Sequence, residues 1–105
     1  MKRSLASLAM MTALAVTTPA FAGGAGKLHG AKYLSLARIP LAKARAAALK
    51  ARPGTITDQE LEKEKGGSGL RYSFDVRWQG NTYEVGIDAK TGKILENRAE
   101  GPHPD

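Results

Sequence analysis

Apolar and polar residues alternate without a break from Leu70 to Trp78, the period of a half-buried β-strand. Leu70, Tyr72, Phe74, Val76 and Trp78 fall on one face, and this run holds most of the large apolar side chains in the second half of the chain. The same alternation returns in Tyr83, Val85 and Ile87, and a shorter run follows at Lys93-Ile94-Leu95-Glu96. Upstream, residues 55–65 read as a first strand carrying Leu61. The period changes before it. Residues 41–51 consist almost wholly of strong helix formers, and a step of 100° per residue puts Leu41, Ala44, Ala48 and Ala51 on one side, with Leu49 at its flank. Lys43 and Lys50 point away. Pro40 suits the first helical position, where a missing N–H costs nothing, and Pro53-Gly54 ends the helix.

The turns between these runs predict an antiparallel meander. Gly66-Gly67-Ser68-Gly69 forms a flexible hairpin loop that sets Lys65 opposite Leu70, Leu61 opposite Phe74 and Glu64 opposite Arg71. Ile56 has the wrong parity to share the face of Leu61, which predicts a bulge between residues 57 and 59. Gln79-Gly80-Asn81-Thr82 is the next hairpin turn, setting Trp78 opposite Tyr83, Val76 opposite Val85, Phe74 opposite Ile87 and Arg77 opposite Glu84. Asp88-Ala89-Lys90-Thr91-Gly92 has the residues of a type I turn closed by glycine, and brings Ile94 near Ile87. The expected fold is α+β: one Ala-rich helix packed on a four-stranded antiparallel meander sheet, because a sheet with one apolar face needs a cover and this helix is the candidate. A core this small points to a dimer or a partner as added support.

Composition adds an address. Met1-Lys2-Arg3, an apolar run over residues 5–16 and small residues at positions 20 and 22 form the pattern of a secretory signal peptide, cleaved after Ala22. The run is shorter than the roughly 20 residues that a membrane span needs. The expected division is a signal peptide at 1–22, a flexible lead-in at 23–38, a domain at 39–98 and a tail at 99–105, in a periplasmic or secreted protein. The chain has no cysteine, so neither disulfides nor a lipid-modified cysteine contribute. The formal charge is +6, and residues 23–52 hold seven basic residues (Lys27, Lys32, Arg38, Lys43, Arg45, Lys50, Arg52) and no acid. Such a segment reads mainly as a solvated helix face, and secondarily as a surface for an anionic membrane or ligand.

Catalytic chemistry finds little support. Glu60, Glu62 and Glu64 share the face opposite Leu61, where carboxylates are mostly solvated or paired with neighbours such as Arg71. His29 and His103 each stand alone, without a second ligand at metal-binding spacing, and no Ser-His-Asp set comes together. The glycine-rich loop has no helix after it to cradle phosphate. Trp78, Tyr72 and Tyr83 lie on the face opposite Arg71 and Arg77, so they read as core packing under the helix and not as the mixed aromatic and basic surface of a nucleic-acid binder. No catalytic, cofactor-binding or metal-binding residue is assigned, and no cofactor is expected.

Residues 39–98 resemble the PepSY domain, a module of metallopeptidase propeptides and of many small exported bacterial proteins. The resemblance runs through Ala51-Arg52-Pro53-Gly54, Glu60-Leu61-Glu62-Lys63-Glu64, Tyr72-Ser73-Phe74-Asp75-Val76 and the segment from Tyr83 to Leu95 with its Asp88-Ala89-Lys90-Thr91-Gly92 turn. Pro40 departs from it, because the family usually has a Ser or Thr cap there. The resemblance implies a non-enzymatic module that inhibits or regulates peptidases outside the cytoplasmic membrane, with a peptidase or another envelope protein as partner. Strand addition at an open sheet edge, 55–65 or 93–98, is the expected mode. The alternative is a basic accessory protein of an anionic membrane surface or ligand, or of a sensor system.

Overall fold

The computed structural model of the chain describes residues 26–100. The signal peptide expected at 1–22 and the end of the tail, with His103, lie outside the described residues. A short 3-10 helix, Ala31–Leu36, precedes helix α1, Leu41–Ala51. Strands β1 (Thr55–Lys63), β2 (Leu70–Trp78), β3 (Asn81–Asp88) and β4 (Ile94–Ala99) follow. They form one antiparallel sheet in the order β1-β2-β3-β4. This is the α+β meander that the alternation predicts.

Helix α1 lies on one face of the sheet. Ala44 and Ala48 are fully buried, and their short side chains let the helix backbone approach the sheet closely. Beneath lie Ile56, Leu61, Leu70, Tyr72, Phe74, Val76, Val85 and Ile87, all buried. Tyr72 and Phe74 stack with ring centroids 6.1 Å apart. The Tyr72 hydroxyl donates to the Ile39 carbonyl at 2.7 Å, so the one polar atom of this buried ring ties the sheet to the helix entry. Pro40 is the N-cap residue rather than the first helical one: its backbone is extended (φ −66°, ψ 154°), and no side chain caps the helix. Arg52 N–H closes the other end on the Ala48 carbonyl at 2.8 Å.

Strand faces agree with the alternation, whereas both hairpin registers differ from expectation by two residues. In the first hairpin Leu61 pairs with Tyr72 and Lys63 with Leu70. Glu64 N–H bonds the Gly69 carbonyl at 3.0 Å, so Lys65-Gly66-Gly67-Ser68 forms the loop. The Asp88 carboxylate holds that loop by accepting from Ser68 N–H at 2.6 Å and Ser68 Oγ at 2.8 Å. In the second hairpin Trp78 pairs with Asn81, Val76 with Tyr83, Phe74 with Val85 and Tyr72 with Ile87. Gln79 (φ 52°) and Gly80 (φ 81°) both occupy the left-handed region, giving a tight two-residue turn whose backbone matches sheet twist. A shift of two keeps every side chain on its face, so the core survives while the cross-strand partners change. The bulge expected in β1 is present between Ile56 and Asp58, and a second interrupts β3–β4 pairing between Gly86 and Ile87. Ile94 pairs with Ile87 as expected.

Two further expectations are corrected. Trp78 shares the face of the core strand yet is 45 % exposed, because it pairs at the very end of the hairpin, outside the buried cluster. The expected flexible lead-in is, from residue 26 on, part of the fold. His29 N–H donates to the Gln59 carbonyl at 3.1 Å, and Leu61 N–H donates to the His29 carbonyl at 2.8 Å, a parallel bridge on the outer edge of β1. Leu28, Tyr33, Ala37 and Ile39 pack against the core. Backbone hydrogen bonds and a few apolar side chains suffice to order a segment whose composition reads as a linker.

Candidate functional site

The two outer strands of the sheet have different fates. β1 is sealed across its middle. Besides the His29 bridge, buried Gln59 donates Nε2 to the Gly26 carbonyl at 2.9 Å and accepts from Arg45 Nη1 at 2.7 Å, joining the N-terminal segment, β1 and α1. Gly30 (φ +83°) allows the closest approach, since a Cβ there would overlap the Leu61 carbonyl oxygen. The imidazole of His29 stands 3.6 Å from Asp58.

β4 pairs with β3 on one side and, among the described residues, with no strand on its other side. Glu100 N–H donates to the Thr82 carbonyl at 2.9 Å. Antiparallel bonding alternates along a strand, so Glu96 and Arg98 also turn their backbone groups toward β3, and Asn97 and Ala99 turn theirs outward. The strand is held rigidly from both faces. On the helix side, Asn97 Nδ2 donates to the Ala51 carbonyl at 3.3 Å and Asn97 Oδ1 accepts from Arg52 Nε at 3.0 Å. The Arg52 guanidinium lies 4.0 Å over the Tyr83 ring. On the outer face, the largely buried Arg71 donates to Glu96 at 3.1 Å and stands 3.8 Å from Glu64, while Arg98 closes on the other oxygen of Glu96. Ile94, at the head of β4, is 54 % exposed.

The outer face of the sheet is otherwise acidic. A row of paired positions crosses all four strands: Asp58, Asp75, Glu84, Arg98. The expected Arg77–Glu84 partnership is replaced by two facing carboxylates, and Arg77 instead donates to Thr82 at 3.2 Å. Burial, with Glu100 and Asp58 nearby, pushes the Asp75 carboxyl up to about 6. Burial also raises Glu84, beside Glu96 and Asp75. Glu62 is raised by burial against a hydrogen bond that it accepts from Ser73 Oγ at 2.9 Å. Glu60, Glu62 and Glu64 thus lie apart in role: Glu60 is exposed, Glu62 bonds Ser73 and Glu64 faces Arg71. Among the described residues no group of three His, Asp or Glu side chains could hold a metal ion. Tyr72 is buried, Tyr83 lies beneath Arg52, and Trp78 is exposed at the sheet end, so the three rings form no common stacking surface. Among the described residues, the outer edge of β4 is where outward-facing main-chain groups are left without a strand.

A family model described as "Peptidase propeptide and YPEB domain" (PepSY) matches residues 38–98, and the chain belongs to this family. Its domains are typically propeptide or regulatory modules, associated with peptidases and found outside the cell or at its envelope. Neither a search of curated proteins nor a search of solved structures found a match. Among the described residues no helix is long and apolar enough to cross a membrane.

Proposed function

We propose that this chain is a non-catalytic regulatory module of the cell envelope that binds a peptidase through an extended segment laid along β4. The observation that carries this reading is the contrast between the edges: the backbone groups of Gln59 and Leu61 on β1 are taken by His29, whereas those of Asn97 and Ala99 on β4 face outward. An added strand would gain main-chain hydrogen bonds there, with side chains reading alternate positions. Membership of the peptidase propeptide and YPEB domain family supports a peptidase as the class of partner. Proteolysis by an envelope fraction, measured with and without the added protein, tests the reading. The expected result is a changed rate with the wild-type chain and no change with Ala99→Pro, which deletes an outward N–H and leaves the β3 ladder intact. Equal rates with and without the wild-type chain would sink it.

A second reading rests on the exposed Lys43 and Lys50 of α1, in a stretch without acids from 23 to 52. They would meet an anionic membrane surface or ligand. Salt-sensitive binding to anionic vesicles, lost in Lys43→Glu and Lys50→Glu, is its expected signature.

A further inference from the structure

We infer that β4 pairs with β4 of a second copy, forming a two-fold dimer with one continuous eight-stranded sheet. The second copy and the peptidase segment would take the same outward groups of Asn97 and Ala99, so they are alternative occupants of one edge, and the dimer is tested on this chain alone.

Register decides how two copies of β4 can meet. Two copies of an edge strand meeting antiparallel about a two-fold axis must oppose residues whose backbone groups face outward, here Asn97 and Ala99. Centring the axis on Asn97 sets Asn97 opposite its own copy and bonds the two reciprocally. Glu96 then falls opposite Arg98 of the second copy, and Arg98 opposite its Glu96. The arrangement is self-complementary, with two opposite-charge pairs across non-hydrogen-bonded positions, where side chains stand closest. Moving the axis by one residue in one direction sets Arg98 against Arg98. Moving it the other way sets Glu96 against Glu96. Both are like-charge pairings that a sheet disfavours. Charge therefore selects one register among those that overlap the strand well.

The protomer is already arranged for this. Glu96 and Arg98 lie on the outer face and close on each other within one chain, so exchanging partners across the axis conserves the interaction. Arg71 holds Glu96 in place from behind, at 3.1 Å. Asn97 is pinned to the helix end by Ala51 and Arg52, which keeps the outward backbone groups straight. Apolar Ile94, 54 % exposed, lies at the end of the paired segment. The axis runs through the sheet, so both helices lie on one side of it and neither blocks the approach. The bulge between Gly86 and Ile87 ends regular pairing at Leu95, the residue that Ala99 of the second copy meets in this register.

Sedimentation velocity on a chain beginning at Gly23, which keeps every described residue, tests the inference. The wild type is expected to show a concentration-dependent monomer–dimer equilibrium. Glu96→Lys and Arg98→Glu, each alone, lose the dimer, since each homodimer then opposes like charges twice. An equimolar mixture of the two variants regains it. The lysine introduced in one chain then meets the glutamate introduced in the other, while the unchanged Arg98 of the first meets the unchanged Glu96 of the second. Ala99→Pro stays monomeric with an unchanged circular dichroism spectrum. A wild type that remains monomeric as concentration rises, or a dimer indifferent to Ala99→Pro, overturns the inference. So does a mixture of folded charge variants that fails to associate. The protein alone is measured, so these outcomes are independent of any effect on a peptidase.

Discussion

Two aspartates on the outer side of the sheet respond to pH in opposite ways. Asp88 is buried, which taken alone raises its carboxyl. Four hydrogen bonds, from Ser68 N–H and Oγ and from the Lys90 and Thr91 amides, outweigh burial and hold it far below the usual range. That contribution is present above the unfolded value of about 4 and is lost as pH falls. Asp75 is raised to about 6, foremost by burial and then by Glu100 and Asp58. Its folded form binds the proton more tightly than the unfolded chain does, so stability falls as pH climbs from about 4 to about 6. Glu84 and Glu62 shift the same way. Stability measured by urea titration is expected to peak near the acid end of this window. Asp75→Asn should flatten the decline and add about 1 kcal/mol at neutral pH, a figure that allows for solvent screening of a half-exposed row. A decline of the same slope in the variant would assign it elsewhere.

Among the elements, α1 is the one that its residues specify most completely. An Ala- and Leu-rich run between Pro40 and Pro53 can do little else, and the structure forms the helix over Leu41–Ala51. Its entry is weak all the same, with no side-chain cap and no acid in the first turn. Pro40→Asp supplies both, and is expected to stabilise the fold by about 1 kcal/mol in thermal or urea unfolding. The faces of β1 to β4 were equally legible, because alternation decides them. Register was not. It depends on turn geometry that composition only hints at: the positive φ of Gln79, a non-glycine, and the reach of Asp88 across to Ser68. The sealed edge was least legible, since His29 docks through its backbone, and backbone pairing leaves no mark on residue type. Glycine at position 30 was the available signal, as the point where two backbones nearly touch. Gly30→Ala should release the bridge, seen as loss of hydrogen-exchange protection at Leu61 N–H while Phe74 N–H, in the central strand, stays protected. Unchanged protection at Leu61 would show that the bridge tolerates a side chain.

At the scale of the whole molecule, the apolar core lies on one side of the sheet, and the other side is a charged surface with Asp75 facing Glu84. Such a layer leaves outward-facing main-chain groups at the rim, along β4. The candidate site was legible to the extent that a meander must have two edges. That only one of them is free depended on residues 26–30, which no periodicity marks.

The seal on β1 also bears on assembly size. With one edge closed, strand pairing between copies stops at two. A fragment of residues 38–100, begun at the family boundary and keeping all of β4, drops the seal and exposes a second edge at the far side of the same sheet. Each copy could then add to the next without end, and a chain that closes as a pair would become a link in a fibril. Light scattering and thioflavin fluorescence of that fragment, rising with time while the longer chain stays clear, is the expected result. Residues 26–30 would then serve as a terminator, limiting polymerisation more than they strengthen the fold.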